Sequence, residues 1–375
     1  MKISEIRVYQ HDLAVSDGLY RMSISQVETL DTTVVEVVTD SGLSGFGETC
    51  PLGSAYQPQF AAGARAAIAE VAPSLIGMDP RLVGLINERM DVTLNGHNYA
   101  KAAIDVACWD LMGKATGARV CDLLGGAHST EVHGESVRSY WGIMPATPES
   151  TAAKAVELQD NGYTRLQVKT GGRPLADDIA CVRAVAEVLR PGVPLTADAN
   201  RGWTARDAIE FSIACRDIPL ALEQPCATLE EHRQLSGRIS HPVFIDESAV
   251  DVATVITAIT DGIAQGFGMK LSRVGGLTKL RAVRDICEAK GIPSTIDDTW
   301  GGDLTAAATI HMGSTVKPAL YEGTWISEPY TDGGYATTTP KIAPVNGRIP
   351  LPTGPGLGVE PDLEVWGPPA AAFTD

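Results

Sequence analysis

The chain has 375 residues, 44% of them hydrophobic and 20% charged, and a formal net charge of -16. That length suits a barrel of about 250 residues with a smaller companion unit, and the composition is that of an ordered globular protein. The charge excludes nucleic acid and an anionic membrane surface as partners, since both call for a basic face.

Seven cysteines, at positions 50, 108, 121, 181, 215, 226 and 287, are scattered and form no CxxC pair. Neither a disulfide framework nor a zinc cluster is expected, and a cytoplasmic setting is. The opening MKISEIRVYQHDL has no basic-then-apolar leader, and no run of eighteen apolar residues occurs, so neither export nor a membrane span is expected.

From Lys2 to about Pro51, the alternating segments KISEIRVYQHDL and TTVVEVVTDSGLSGFGE predict antiparallel strands joined by a long polar loop around SDGLYRMS. Between Gln59 and Leu124, apolar residues recur at helical spacing in AAGARAAIAEVAPSLI and AKAAIDVACWDLMGKATG, with Gly117 placed as a C-cap. An α+β domain over residues 1–126 is therefore expected. After it, eight strand-like runs alternate with helical stretches: VRSYWGIM, RLQVKT, PLTADAN, LALEQP, PVFIDES, GFGMKLS, IPSTIDD and PALYEG. Strand then helix, eight times over, predicts a (β/α)8 TIM-like barrel over residues 127–338. The proline- and glycine-rich segment 339–375 is expected to run back over the capping domain.

Polar residues at the C-terminal ends of barrel strands are the catalytic candidates, because that face carries the active site of such barrels. Side chains alternate along a strand, so in TRLQVKTGG Leu166 and Val168 face one way while Gln167 and Lys169 face the other. Lys169 ends the second predicted strand, Asp198 the third, Glu223 the fourth, Asp246 the fifth and Lys270 the sixth. From Asp198 onward the spacings are 25, 23 and 24 residues, about one βα unit each. A single acid there could simply cap the next helix. Three in register would repel one another unless a cation neutralised them, and hard oxygen donors suit Mg2+. Strands two and six lie opposite each other in an eight-strand ring, so Lys169 and Lys270 would face one another across the mouth as two proton-transfer groups.

This constellation resembles the enolase superfamily, in particular its mandelate racemase and muconate-lactonizing branch. GHNYAKAAIDVACWDLMGKATG and MKLSRVGGLTK look like that family's segments. The resemblance implies an α+β capping domain, Mg2+ held by Asp198, Glu223 and Asp246, and Lys169 and Lys270 as bases working through an enediolate, which is that superfamily's known pattern. One departure is Gln167, where the muconate-type motif usually has a second lysine. Within the branch, ETCPLGSAYQP, LEQPCATLEE, DDTWGGD and EGTWISEPY resemble 2-epimerases of proline betaine and 4-hydroxyproline betaine. That resemblance implies an isomerase whose small-molecule carboxylate substrate carries a quaternary ammonium, with a homo-oligomer expected. Tyr56, Asp297, Asp298, Trp300 and Trp325 are the candidates for holding the ammonium, by aromatic faces or carboxylates. Tyr20 and Tyr140 are further aromatic candidates. The main alternative is a cis-3-hydroxy-L-proline dehydratase, which begins with the same α-proton abstraction. A dipeptide epimerase and a non-catalytic barrel are the others.

Overall fold

A computed structural model describes residues 1–16, 18–21, 26–127, 135–144, 146–331, 335 and 341–374. The expected boundary between 338 and 339, and part of the SDGLYRMS stretch, lie outside the described residues. Strands Ile3–Ala14, Thr29–Thr39 and Ser44–Thr49 form an antiparallel sheet. The C-terminal strand Ala371–Phe373 joins its edge, with Ile6 opposite Phe373. Helices Ala61–Val71, Val83–Thr93 and Asn98–Thr116 accompany this sheet. Asn98–Thr116 lies almost directly on Ser44–Thr49, because Gly47 has no side chain: a Cβ there would meet the carbonyl oxygen of Ala103 at 2.0 Å. The helix ends at Gly117, whose N–H bonds the carbonyl of Gly113.

Eight parallel strands follow in one sheet, neighbours in space in the order they occur in the chain: Trp141–Ile143, Leu166–Lys169, Leu195–Asp198, Leu220–Glu223, Val243–Ile245, Gly266–Lys270, Ser294–Asp297 and Tyr321–Gly323. The ring is joined where Ser139 bridges Thr324 in parallel and the Thr324 N–H donates to the Arg138 carbonyl at 2.8 Å. This is a (β/α)8 TIM-like barrel carrying an α+β N-terminal domain. The first predicted strand is divided: Ser136–Arg138 pairs antiparallel with Arg348–Pro350, and only Trp141–Ile143 enters the barrel ladder.

Period two then sorts the barrel side chains. On the second strand Leu166 and Val168 join the apolar core, while Gln167 and Lys169 point to polar partners on neighbouring strands. Register places Lys169 beside Asp198, Asp198 beside Glu223, and Lys270 beside Asp297. All seven cysteines are free and buried. Among the described residues no helix is long and apolar enough to cross a membrane.

Candidate active site

A cavity opens at the C-terminal ends of the strands, with Lys169, Lys270, Glu223, Asp298, Trp300 and Trp325 in its wall. The Lys169 ammonium donates to Asp198 Oδ2 at 2.5 Å, and the Asn200 N–H donates to Asp198 Oδ1 at 2.8 Å. Across the ring, Lys270 donates to Asp297 Oδ2 at 3.2 Å and lies 3.8 Å from Asp246 Oδ2. Burial works against the charge of both lysines. For Lys169 the field of Asp198 outweighs it, and for Lys270 those of Asp246 and Asp297, so both are raised. The opposite direction, toward a neutral amine, is what a base needs.

Glu223 accepts from the Gln167 amide at 2.9 Å. Gln167 thus stands where a second lysine would have been and donates without carrying charge. Burial, then the neighbouring Asp198 and Asp246, push the Glu223 carboxyl up to about 8. Asp246 is drawn the other way: burial opposes its ionisation, but Arg273, donating to Oδ1 at 2.5 Å, keeps it low. Glu247 also belongs to the group. Asn200 donates to its Oε1 at 3.1 Å, its Oε2 is buried without a partner among the described residues, and burial with Asp246 and Asp198 pushes it up to about 7.

Among the described residues no three acids, histidines or cysteines stand ready as a cation cage, since Asp198 and Asp246 are turned toward Lys169 and Arg273. The donor chemistry nevertheless fits a hard divalent cation. The donors are buried carboxylate oxygens on adjacent strands, two of the acids are pushed toward neutrality by burial and then by their neighbours' charge, and one oxygen is unpartnered among the described residues.

The aromatic candidates converge. Tyr20 meets Trp300 edge-on at 4.7 Å, Trp300 meets Trp325 at 5.3 Å, and Trp325 meets Tyr330 at 5.7 Å between ring centres. Tyr56, from the capping domain, lines the cavity and is gripped by Arg201, which donates to its carbonyl at 2.7 Å. The two consecutive aspartates part company. Asp297 stands behind Lys270, where it also accepts from Thr295 Oγ1 at 2.7 Å and the Trp325 N–H at 2.9 Å. Asp298 lines the cavity; its Oδ2 accepts from the Ser327 N–H at 3.3 Å and its Oδ1 has no partner among the described residues.

Sequence reasoning missed Asn200, Glu247 and Arg273. The first two follow Asp198 and Asp246 by two residues and one residue, so position alone was the available signal. Arg273 lies within MKLSRVGGLTK, three residues after Lys270, but nothing there marked it as the partner of Asp246.

Residues 150–365 match the enolase C-terminal domain-like family, and residues 5–125 match the N-terminal domain of the mandelate racemase and muconate lactonizing enzymes. The chain belongs to the enolase superfamily, in that branch. It is 43% identical to a cis-3-hydroxy-L-proline dehydratase from Roseibium aggregatum, with all of both chains covered. A hydrophobic dipeptide epimerase from Enterococcus faecalis is 30% identical, over 95% of this chain and 97% of that one. A crystal structure of an enolase superfamily member from Roseovarius nubinhibens, complexed with magnesium, superposes with a TM-score of 0.93 at 33% identity over all of both chains. This superfamily member therefore has both dehydratase and epimerase relatives, and a magnesium-bound structural neighbour.

Proposed function

We propose that the chain is a dehydratase acting on a cyclic β-hydroxy-α-amino acid of the cis-3-hydroxyproline class. The observation that carries this is the placement of two ammonium groups, Lys169 and Lys270, on strands two and six of one closed ring and in one cavity wall. The full-length relationship to a cis-3-hydroxyproline dehydratase supports the substrate class.

In cis-3-hydroxyproline the hydroxyl and the carboxylate share a ring face, so the α-hydrogen lies on the face opposite the hydroxyl. Elimination across the ring needs a base on one side and an acid on the other, which is what two opposed lysines offer. One lysine, having given up its proton against the field of its neighbouring carboxylates, takes the α-proton. The Cβ–O bond breaks, the hydroxyl takes a proton from the other lysine and leaves as water, and a Cα–Cβ double bond forms. The cyclic enamine so produced tautomerises to an imine. Asp198, Glu223 and Asp246 would hold Mg2+, which when bound draws charge from the substrate carboxylate and makes the α-proton more acidic. Asp298 would accept from the ring nitrogen with its unpartnered oxygen, and Asp297 holds Lys270 in place.

The wall formed by Tyr20, Trp300, Trp325 and Tyr330 favours a second reading, 2-epimerisation of proline betaine or hydroxyproline betaine, because aromatic faces suit a quaternary ammonium. Both readings use the same lysines. Incubation with each substrate separates them. The dehydratase yields an imine that o-aminobenzaldehyde traps, without inversion at the α-carbon. Inversion of proline betaine, with no imine from cis-3-hydroxyproline, would instead establish the epimerase.

A further inference from the structure

A carboxylate of the capping domain lies outside the cavity yet holds one of its walls. Glu48, on the strand Ser44–Thr49, is 1% exposed. Its Oε1 accepts from Thr32 Oγ1 at 2.7 Å, from the Gly302 N–H at 2.8 Å and from the Tyr335 hydroxyl at 2.8 Å. Its Oε2 accepts from the Thr305 N–H at 3.2 Å and from Thr305 Oγ1 at 3.1 Å. Gly302 is the N-cap of the barrel helix Asp303–Ser314. The first N–H groups of a helix have no partner within it and favour negative charge, so this carboxylate completes the helix start. The cap comes from 254 residues away in the chain, in the other domain.

Between the cavity and that cap runs a short segment. Asp298, Thr299 and Trp300 line the cavity, and Gly301 and Gly302 lead into the helix. Ser327 ties the near end, its N–H donating to Asp298 and its hydroxyl to the Gly301 carbonyl. Glu48 ties the far end. Gly301 has a φ of +144°, and a Cβ there would stand 2.7 Å from Thr305 Oγ1 and 3.1 Å from the Glu48 carboxyl carbon. The carboxylate therefore packs against the backbone bend itself.

We infer that Glu48 is a positioning residue for the Asp298–Trp300 wall, through which the capping domain sets how tightly the substrate's nitrogen is held. This rests on the recognition role given above to Asp298 and Trp300. Glu48 itself does not line the cavity. Glutamine at this position keeps the shape but replaces one acceptor oxygen with an NH2 that faces donors, which loosens the helix start and the segment before it.

The test compares Glu48→Gln with wild type in two measurements. Amide hydrogen exchange over residues 298–306 needs no ligand, and it should rise at least about tenfold in the variant while the sheet of Ile3–Ala14 and Thr29–Thr39 is unchanged, as one charge-assisted hydrogen bond lost implies. Dissociation constants are then measured for proline and for tetrahydrofuran-2-carboxylate, which has oxygen in place of the ring N–H. Proline should weaken about tenfold and the oxygen analogue should stay within about twofold, the loss falling on the nitrogen contact alone. Unchanged exchange over 298–306 overturns the proposal. So does an equal loss for both ligands, which marks a general structural effect. If wild type binds neither ligand, the recognition reading of the site fails, and the exchange measurement still decides what Glu48 holds. Should Glu48→Gln not fold, Thr305→Val removes one donor to the same carboxylate and should give a smaller rise in the same peptide; no rise there would overturn the inference.

Discussion

Replacing Asp298 by asparagine separates recognition from folding. The carboxyl is wholly buried; among the described residues one oxygen has a single long hydrogen bond from Ser327, and the other is unpartnered at the cavity wall beside Trp300. If that oxygen accepts from the substrate's ammonium, the change removes a charge-assisted hydrogen bond. At about 2.5 kcal/mol this is roughly a 70-fold fall in kcat/KM for cis-3-hydroxyproline, expressed mainly in KM. Stability should move the other way. Burial pushes the Asp298 carboxyl well above the usual carboxylate range. An acid whose pKa is raised by folding opposes the fold at pH 7, where the unfolded chain ionises freely. A neutral amide carries no such penalty, so Asp298→Asn should unfold at the wild-type temperature or higher. Steady-state kinetics with imine trapping and a thermal melt in the same buffer check both parts. A kcat/KM within about threefold of wild type, or a melting temperature well below it, would refute the reasoning.

Lys169→Ala and Lys270→Ala should each lower turnover by at least about a hundredfold, the usual worth of a proton-transfer group, and proton NMR in deuterated water would identify the base as the lysine whose loss stops α-proton exchange. cis-3-Hydroxyproline should be dehydrated much faster than the trans isomer, whose α-hydrogen and hydroxyl share one face; equal rates by imine trapping would count against opposed lysines. Treatment with EDTA should abolish turnover and Mg2+ restore it, and full activity in excess chelator would remove the cation from the proposal. His311 is fully buried, with Nε2 against the Leu357 carbonyl and Nδ1 accepting from the Cys121 N–H, and burial lowers it from 6.5 to about 4. Its contribution is present above pH 6.5 and is lost as the pH falls toward 4, about 3 kcal/mol in all, so urea unfolding at about pH 7 and pH 4.5 should show a steeper acid loss in wild type than in His311→Gln.

Much of the site was legible because two short periods govern it. Alternation along a strand put Lys169 on the polar face, and the repeat of about one βα unit put Asp198, Glu223, Asp246 and Lys270 at equivalent strand ends. The apolar runs likewise marked the eight strands, although local pattern could not tell that Ser136–Arg138 would leave the barrel ladder for Arg348–Pro350. Partner choice was decided only by the tertiary structure. Asp297 and Asp298 are chemically identical neighbours, yet pleating turns one to Lys270 and the other to the cavity. The carboxylates that raise the two lysines, Asp198 for Lys169 and Asp246 with Asp297 for Lys270, act through packing between strands. Arg273 met Asp246, and Glu48 met Gly302, across 27 and 254 residues. A side chain's residue type and its face on an element follow from local sequence, whereas its charge state and hydrogen-bond partners depend on which other elements are packed within about 3 Å of it.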